Sequence, residues 1–148
     1  MELAFLHIAD YANLTKDDKL NIMGIFSVIN ALNFPTQHPE MHVVAQLAAD
    51  PGEYSRQFQV TIKLLNEDAS QELVNFNAPA TVPNGRGLRV TMNFTLRLVN
   101  IVFPTPGTYE FVVLVDGDQK GSASLYVNQV QQPSQPAQND GSPSFGNL

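Results

Sequence analysis

Three short stretches hold the residue types that could do chemistry. The first is His38-Pro-Glu-Met-His42. Side chains two apart in a β-strand share a face, so His38, Glu40 and His42 could offer two imidazoles and a carboxylate to a metal ion. Pro39 opposes this, because proline cannot donate to a sheet ladder and is expected to leave His38 in a loop. These residues are therefore expected to be a solvated lead-in to a strand that starts at Met41. The second stretch, Asp116-Gly-Asp-Gln-Lys-Gly121, fits positions one, three and six of an EF-hand calcium loop. Lys120 then falls at position five and Val127 at position twelve, where a bidentate Glu is required, so Asp-Gly reads as a hairpin turn instead. The third, Gly85-Arg-Gly87, lacks the following Gly-Lys-Ser/Thr and helix of a phosphate cradle. No Gly-x-Ser-x-Gly elbow occurs, and none of His7, His38 and His42 has the setting of a catalytic base, so no catalytic, cofactor-binding or metal-binding residue is assigned and no cofactor is expected.

The elements that must position these residues are strands. From Leu88 the chain alternates Leu88, Val90, Met92, Phe94, Leu96, Leu98 with Arg89, Thr91, Asn93, Thr95, Arg97, a period of two that no helix gives. After Leu98 the apolar parity passes to Val99, Ile101 and Phe103, which predicts a bulge or a bend where the strand turns a corner between two sheets. Phe58, Val60, Ile62 and Leu64 form a second half-buried strand. Further strands are predicted at Leu3 to Ala9, Leu20 to Ile29, Met41 to Ala48, Glu72 to Phe76, Tyr109 to Val115 and Ser122 to Val127, about eight in all. Leu14 to Ile25 is ambiguous, because Thr15 followed by Asp18 can cap a helical turn. Strands this dense, without long helical connections, predict an all-β, antiparallel two-sheet sandwich, immunoglobulin-like or jelly-roll-like, with a closed barrel as the alternative.

Composition bounds the rest. The 148 residues carry a formal charge of -6 and no cysteine, which excludes disulfides, thiolate metal sites and cysteine nucleophiles. One domain is expected over residues 1–130, followed by a polar tail over 131–148 with too little apolar surface to fold. The eight basic residues are scattered singly, so neither nucleic acid nor an anionic membrane surface is an expected partner. The first ten residues lack the basic segment of a signal peptide, and no apolar run reaches the roughly 18 residues of a membrane span, so a cytoplasmic location is expected.

Two functional expectations follow from faces and ends. If successive strands alternate in direction, Asp10, Asp17, Asp18, Asp50, Glu53, Asp116 and Asp118 gather at one pole, where they could form a loose calcium or small-ligand site. Lys16, Lys19, Arg56, Arg86 and Lys120 go there too, which favours a mixed, solvated rim. In the last hairpin, Tyr109, Phe111, Val113 and Val115 take one face and Glu110, Val112 and Leu114 the other. An outer sheet face would then expose Val112, Leu114 and Tyr126 as an apolar patch, the expected interface for a protein partner or a homo-oligomer. The expected function is that of a non-enzymatic binding or structural module.

The order of punctuation residues points the same way. Ala9-Asp10, Lys19-Leu-Asn-Ile22-x-Gly24-x-Phe26, Phe34-Pro35 with Pro39, and Phe103-Pro-x-Pro-Gly107-x-Tyr109 running to Asp116-Gly117 resemble a family of small bacterial β-sandwich proteins of unknown function. The resemblance implies a β-sandwich and a bacterial, intracellular origin. It implies no catalytic or ligand-binding residue.

Overall fold

The computed structural model describes residues 1–132. Its strands are β1 (Glu2–Leu14), β2 (Leu20–Ile25), β3 (Val28–Ala31), β4 (Thr36–Ala49), β5 (Gln57–Leu65), β6 (Glu72–Thr81), β7 (Val90–Phe103), β8 (Gly107–Val115) and β9 (Asp118–Gln129), with one 3-10 turn at Pro51–Glu53. They form two sheets, β2-β1-β4-β7 and β3-β9-β8-β5-β6. Every pairing is antiparallel except that of β3 with β9. The tail expected from Gln131 lies outside the described residues, apart from Gln131 and Gln132.

The core lies between the sheets and follows the alternation. Met41, Val43, Ala45 and Leu47 of β4 face Phe58, Val60, Ile62 and Leu64 of β5 and Phe111, Val113 and Leu125 of β8 and β9, all buried. Gly121 lets the sheets approach, since a Cβ there would collide with the Leu3 side chain. At one end the Phe103 and Tyr109 rings meet edge to face with centroids 5.0 Å apart, and the Tyr109 hydroxyl donates to the Thr105 carbonyl at 2.7 Å. The Pro104–Gly107 connection is thereby tied back to the strand that follows it.

Three expectations are corrected and one ambiguity is resolved. The run Leu20 to Ile29 is two strands in different sheets, so the described residues hold nine; Phe26 and Ser27 carry the chain across, bonding to Ile8 on one side and Tyr126 on the other. The ambiguous Leu14 to Ile25 segment is a hairpin, closed by Thr15 N–H to the Lys19 carbonyl at 2.8 Å and Lys19 N–H to Thr15 Oγ1 at 3.0 Å. β7 turns no corner between sheets, because it pairs with β4 from Val90 to Phe103. Its change of parity sits at Asn100, whose φ of 55° lets one residue drop out of the alternation. Pro39 lies inside β4, opposite Asn100, where β1 no longer flanks the strand and one edge is open.

The β1–β2 hairpin does not continue the plane of its sheet. Ala9 pairs with His42 on one side and Ile25 on the other, which sets Asp10 opposite Gly24. Gly24 has a φ of 70°. Beyond this bend the hairpin lies over the outer face of β4 and β7. The Tyr11 ring meets His42 edge to face at 5.2 Å, the Asn93 amide donates to the Asp18 carbonyl at 3.5 Å, and Leu14 and Asp18 share a cleft with Thr91 and Asn93. Ala9, Ala12, Val44 and Ala48 are consequently buried although they lie outside the inter-sheet core. Small side chains there permit the close approach.

Candidate functional site

The histidine stretch is split by the same irregularity that shifts β7. His42 lies on the outer face of β4, 5% exposed beneath the hairpin, with Nε2 3.2 Å from Glu40 Oε1. Arg97, across the ladder on β7, donates through Nε to the same oxygen at 2.6 Å. These two partners, the guanidinium first, hold the Glu40 carboxyl below its usual range. His38 is not in a loop as expected but in the strand; it pairs with Ile101, which packs on the core, and its ring lies 5.7 Å from Phe26. The parity change between His38 and Glu40 therefore places them on opposite faces. The carboxylate serves Arg97, one imidazole is covered by the hairpin and the other turns inward. His7 is half-buried in β1 and stacked on Phe5. Among the described residues, no three His, Cys, Asp or Glu side chains are gathered as a metal would require.

The acidic residues do not all share one pole: Arg56 joins Glu53 to Asp116 near Asp50 and Asp18 lies in a cleft with Thr91, but Asp10 is apart. β1 runs antiparallel to β4, so Asp10 sits at the level of His42, eight residues and about 26 Å along β4 from Asp50. The expectation of one pole assumed strict up-and-down alternation, which the passage from β2 to β3 breaks. The carboxylates near Asp50 are occupied by cations. Glu53 takes the N-terminal ammonium at 2.6 Å and Arg56 at 3.3 Å, and the first of these keeps its carboxyl low. Asp116 accepts from Gln59 N–H and from Arg56, each at 2.9 Å, and is likewise held low. Arg89 lies 3.9 Å from Asp50 and also pairs with Glu2, while Lys120 is 3.0 Å from Asp118. Asp116 and Gly117 both have positive φ, the geometry of a two-residue hairpin turn. The loop that resembles a calcium site is built by its turn, and Asp116 fastens that turn to β5.

Val112, Leu114 and Tyr126 do share the outer face of the five-stranded sheet. They are not one patch. Val112 is 5% exposed and Leu114 half-buried between flanking strands, whereas Tyr126 is 46% exposed. A row of Ser124, Glu110 and Leu65 lies between Val112 and Tyr126. The neighbour of Tyr126 is Val28 of β3, also 46% exposed. Three residues back in the chain is Ile25 at 58%, and Met23 at 62% follows on the same side of β2. Four of the exposed apolar side chains thus lie on the β2–β3 margin, while others lie elsewhere, Leu88 at 71% ahead of β7 and Val102 at 50% on it. Sequence reasoning missed Met23, Ile25 and Val28, because a long apolar run reads as a buried strand until its halves are known to be sheet edges.

Fold and surface together define an all-β, two-sheet sandwich with a folded-back hairpin and an apolar margin. The chain belongs to a family of unknown function, DUF6941, which matches residues 4–128. No curated protein matches it. Among solved structures it is similar to the Pseudomonas fluorescens alkylpurine DNA glycosylase AlkC bound to DNA containing an abasic site analog, at 14% identity and a TM-score of 0.43. That match covers 83% of this chain but 30% of the glycosylase, a likeness too loose to carry a functional argument. No helix among the described residues is long and apolar enough to cross a membrane.

Proposed function

We propose that the protein is a non-catalytic binding or structural module of the bacterial cytoplasm that offers a sheet margin to a macromolecular partner. The supporting observation is the exposure of Met23, Ile25, Val28 and Tyr126, each close to half exposed or more, at the margin where β2 and β3 carry the chain from one sheet to the other. Apolar side chains exposed at a sheet margin favour association, because water released from them favours contact. Strands supply the rigidity, so little ordering entropy is lost when a partner docks. The bacterial and cytoplasmic setting rests on the family resemblance.

A photo-crosslinking residue placed at Tyr126 in the full chain, with the same residue at Asn75 as control, tests the proposal in cells. A discrete adduct at Tyr126, absent at Asn75 and lost when Val28 is changed to Asp, is the expected result. Equal labelling at both positions would remove it.

A further inference from the structure

Four strand edges bound the sheets: β2 and β7 in one, β3 and β6 in the other. An exposed edge is a template for another strand, and proteins blunt such edges by shortness, proline, bulges or charge. β2 has six residues and a bend at Gly24, β3 has four residues, and β6 carries Pro79. β7 has none of these over Val90 to Val99, where every φ is negative, proline is missing and Arg97 is the one charged residue. Its core-facing Met92, Phe94 and Leu96 are half-buried, so the inter-sheet core reaches the surface along this side. A cleft of about 390 Å3 adjoins the strand there, with Leu14 and Asp18 on one wall and Thr81 and Pro83 on the other.

We infer that β7 pairs antiparallel with β7 of a second copy of this chain, about a two-fold axis at Thr95, joining two four-stranded sheets into one. Opposed residues in an antiparallel pair lie on the same face. The Thr95 register sets Phe94 against Leu96 and Met92 against Leu98 on the core side, apolar against apolar. On the outer face it sets Arg97 against Asn93, over which the hairpin loop bearing Asp17 and Asp18 is held. Each guanidinium, which donates through Nε to Glu40 of its own chain, is thereby set toward the partner's loop that bears Asp17 and Asp18. A two-fold at Arg97 would oppose two guanidiniums, and one at Asn93 would oppose Arg97 to Arg89. The charge pattern excludes both, and of the registers between them only the one at Thr95 sets Arg97 directly opposite Asn93.

The experiment is sedimentation equilibrium of the full chain and of Thr95→Lys and Thr95→Glu at high micromolar protein, with circular dichroism to show that each variant is folded. Thr95 is exposed, so either change is compatible with the fold. The wild type is expected at twice 16.3 kDa, each variant alone at 16.3 kDa, and their equimolar mixture back at the dimer mass. A monomeric wild type, a dimer that survives either single variant, or a mixture that stays monomeric would each overturn the inference. Tyr126→Ser is expected to leave the dimer intact, which separates this edge from the β2–β3 margin proposed for a partner; loss of the dimer in that variant alone would overturn it as well.

Discussion

Asp10 and Gly24 face each other at the point where the β1–β2 hairpin leaves its sheet, and a Cβ on Gly24 would lie 2.6 Å from Asp10 Oδ2. Two constraints meet at one glycine: a φ of 70° and a space already filled. The bend that folds the hairpin over His42 and Val44 depends on both. This gives the Gly24 and Asp10 of the family resemblance a structural role.

Gly24→Ala is expected to cost about 1–2 kcal/mol from the left-handed backbone alone, with steric strain in addition. For a chain of this size that lowers Tm by about 2–8 °C, read by calorimetry. Adding Asp10→Ala should restore part of the loss, since it relieves the crowding and leaves the backbone strain. An unchanged Tm for Gly24→Ala would show that the bend is made elsewhere.

Val112 and Tyr126 share a face and should respond oppositely. Val112→Thr places a hydroxyl where the side chain is 5% exposed and should cost about 1–3 kcal/mol in urea unfolding. Tyr126→Ser, at 46% exposure, should stay within about 0.5 kcal/mol. Equal costs would mean that the outer face is not divided as described.

Tyr109→Phe removes the donor that satisfies the Thr105 carbonyl while keeping the ring against Phe103. A loss of about 0.5–1.5 kcal/mol is expected. Faster amide exchange across Thr105–Gly107 should accompany it. A loss with no local change in exchange would place the effect in packing instead.

Acid should destabilise the fold through Glu40, Glu53 and Asp116, all held below their ordinary values of 4.5 for Glu and 3.8 for Asp. A depressed carboxyl contributes stability that is present in full above its unfolded value and is lost as pH falls through its folded value. Tm is therefore expected to hold from pH 7 to about pH 5 and to fall below about pH 4.5. Asp116→Asn keeps an acceptor for Gln59 N–H and loses the Arg56 pair. It should lower Tm at neutral pH and flatten the acid slope, whereas an unaltered slope would show that Asp116 does not contribute.

The alternation at Phe58–Leu64 and Tyr109–Val115 was legible as strands because burying one face of a pleated strand requires apolar residues at every second position. The Asp116-Gly117 turn was legible for a similar reason, since two successive left-handed residues restrict the sequence to a few pairs. The sense of Pro39 was not legible. Whether a proline interrupts a strand depends on which neighbour its missing donor would have faced, and that neighbour is β1, in a distant part of the chain.

What the chain determined alone is local: which residues point to opposite sides of a strand, where turns fall, and that one apolar interior is enclosed by two layers. Tertiary structure alone decided which sheet each strand joins, which edges stay open and which faces are covered. It divided the Leu20 to Ile29 run between two sheets, separated His38 from Glu40, and left Met23, Ile25 and Val28 exposed. The physical reason is that strand polarity repeats every two residues whatever its neighbours are, whereas exposure depends on pairings made far along the chain.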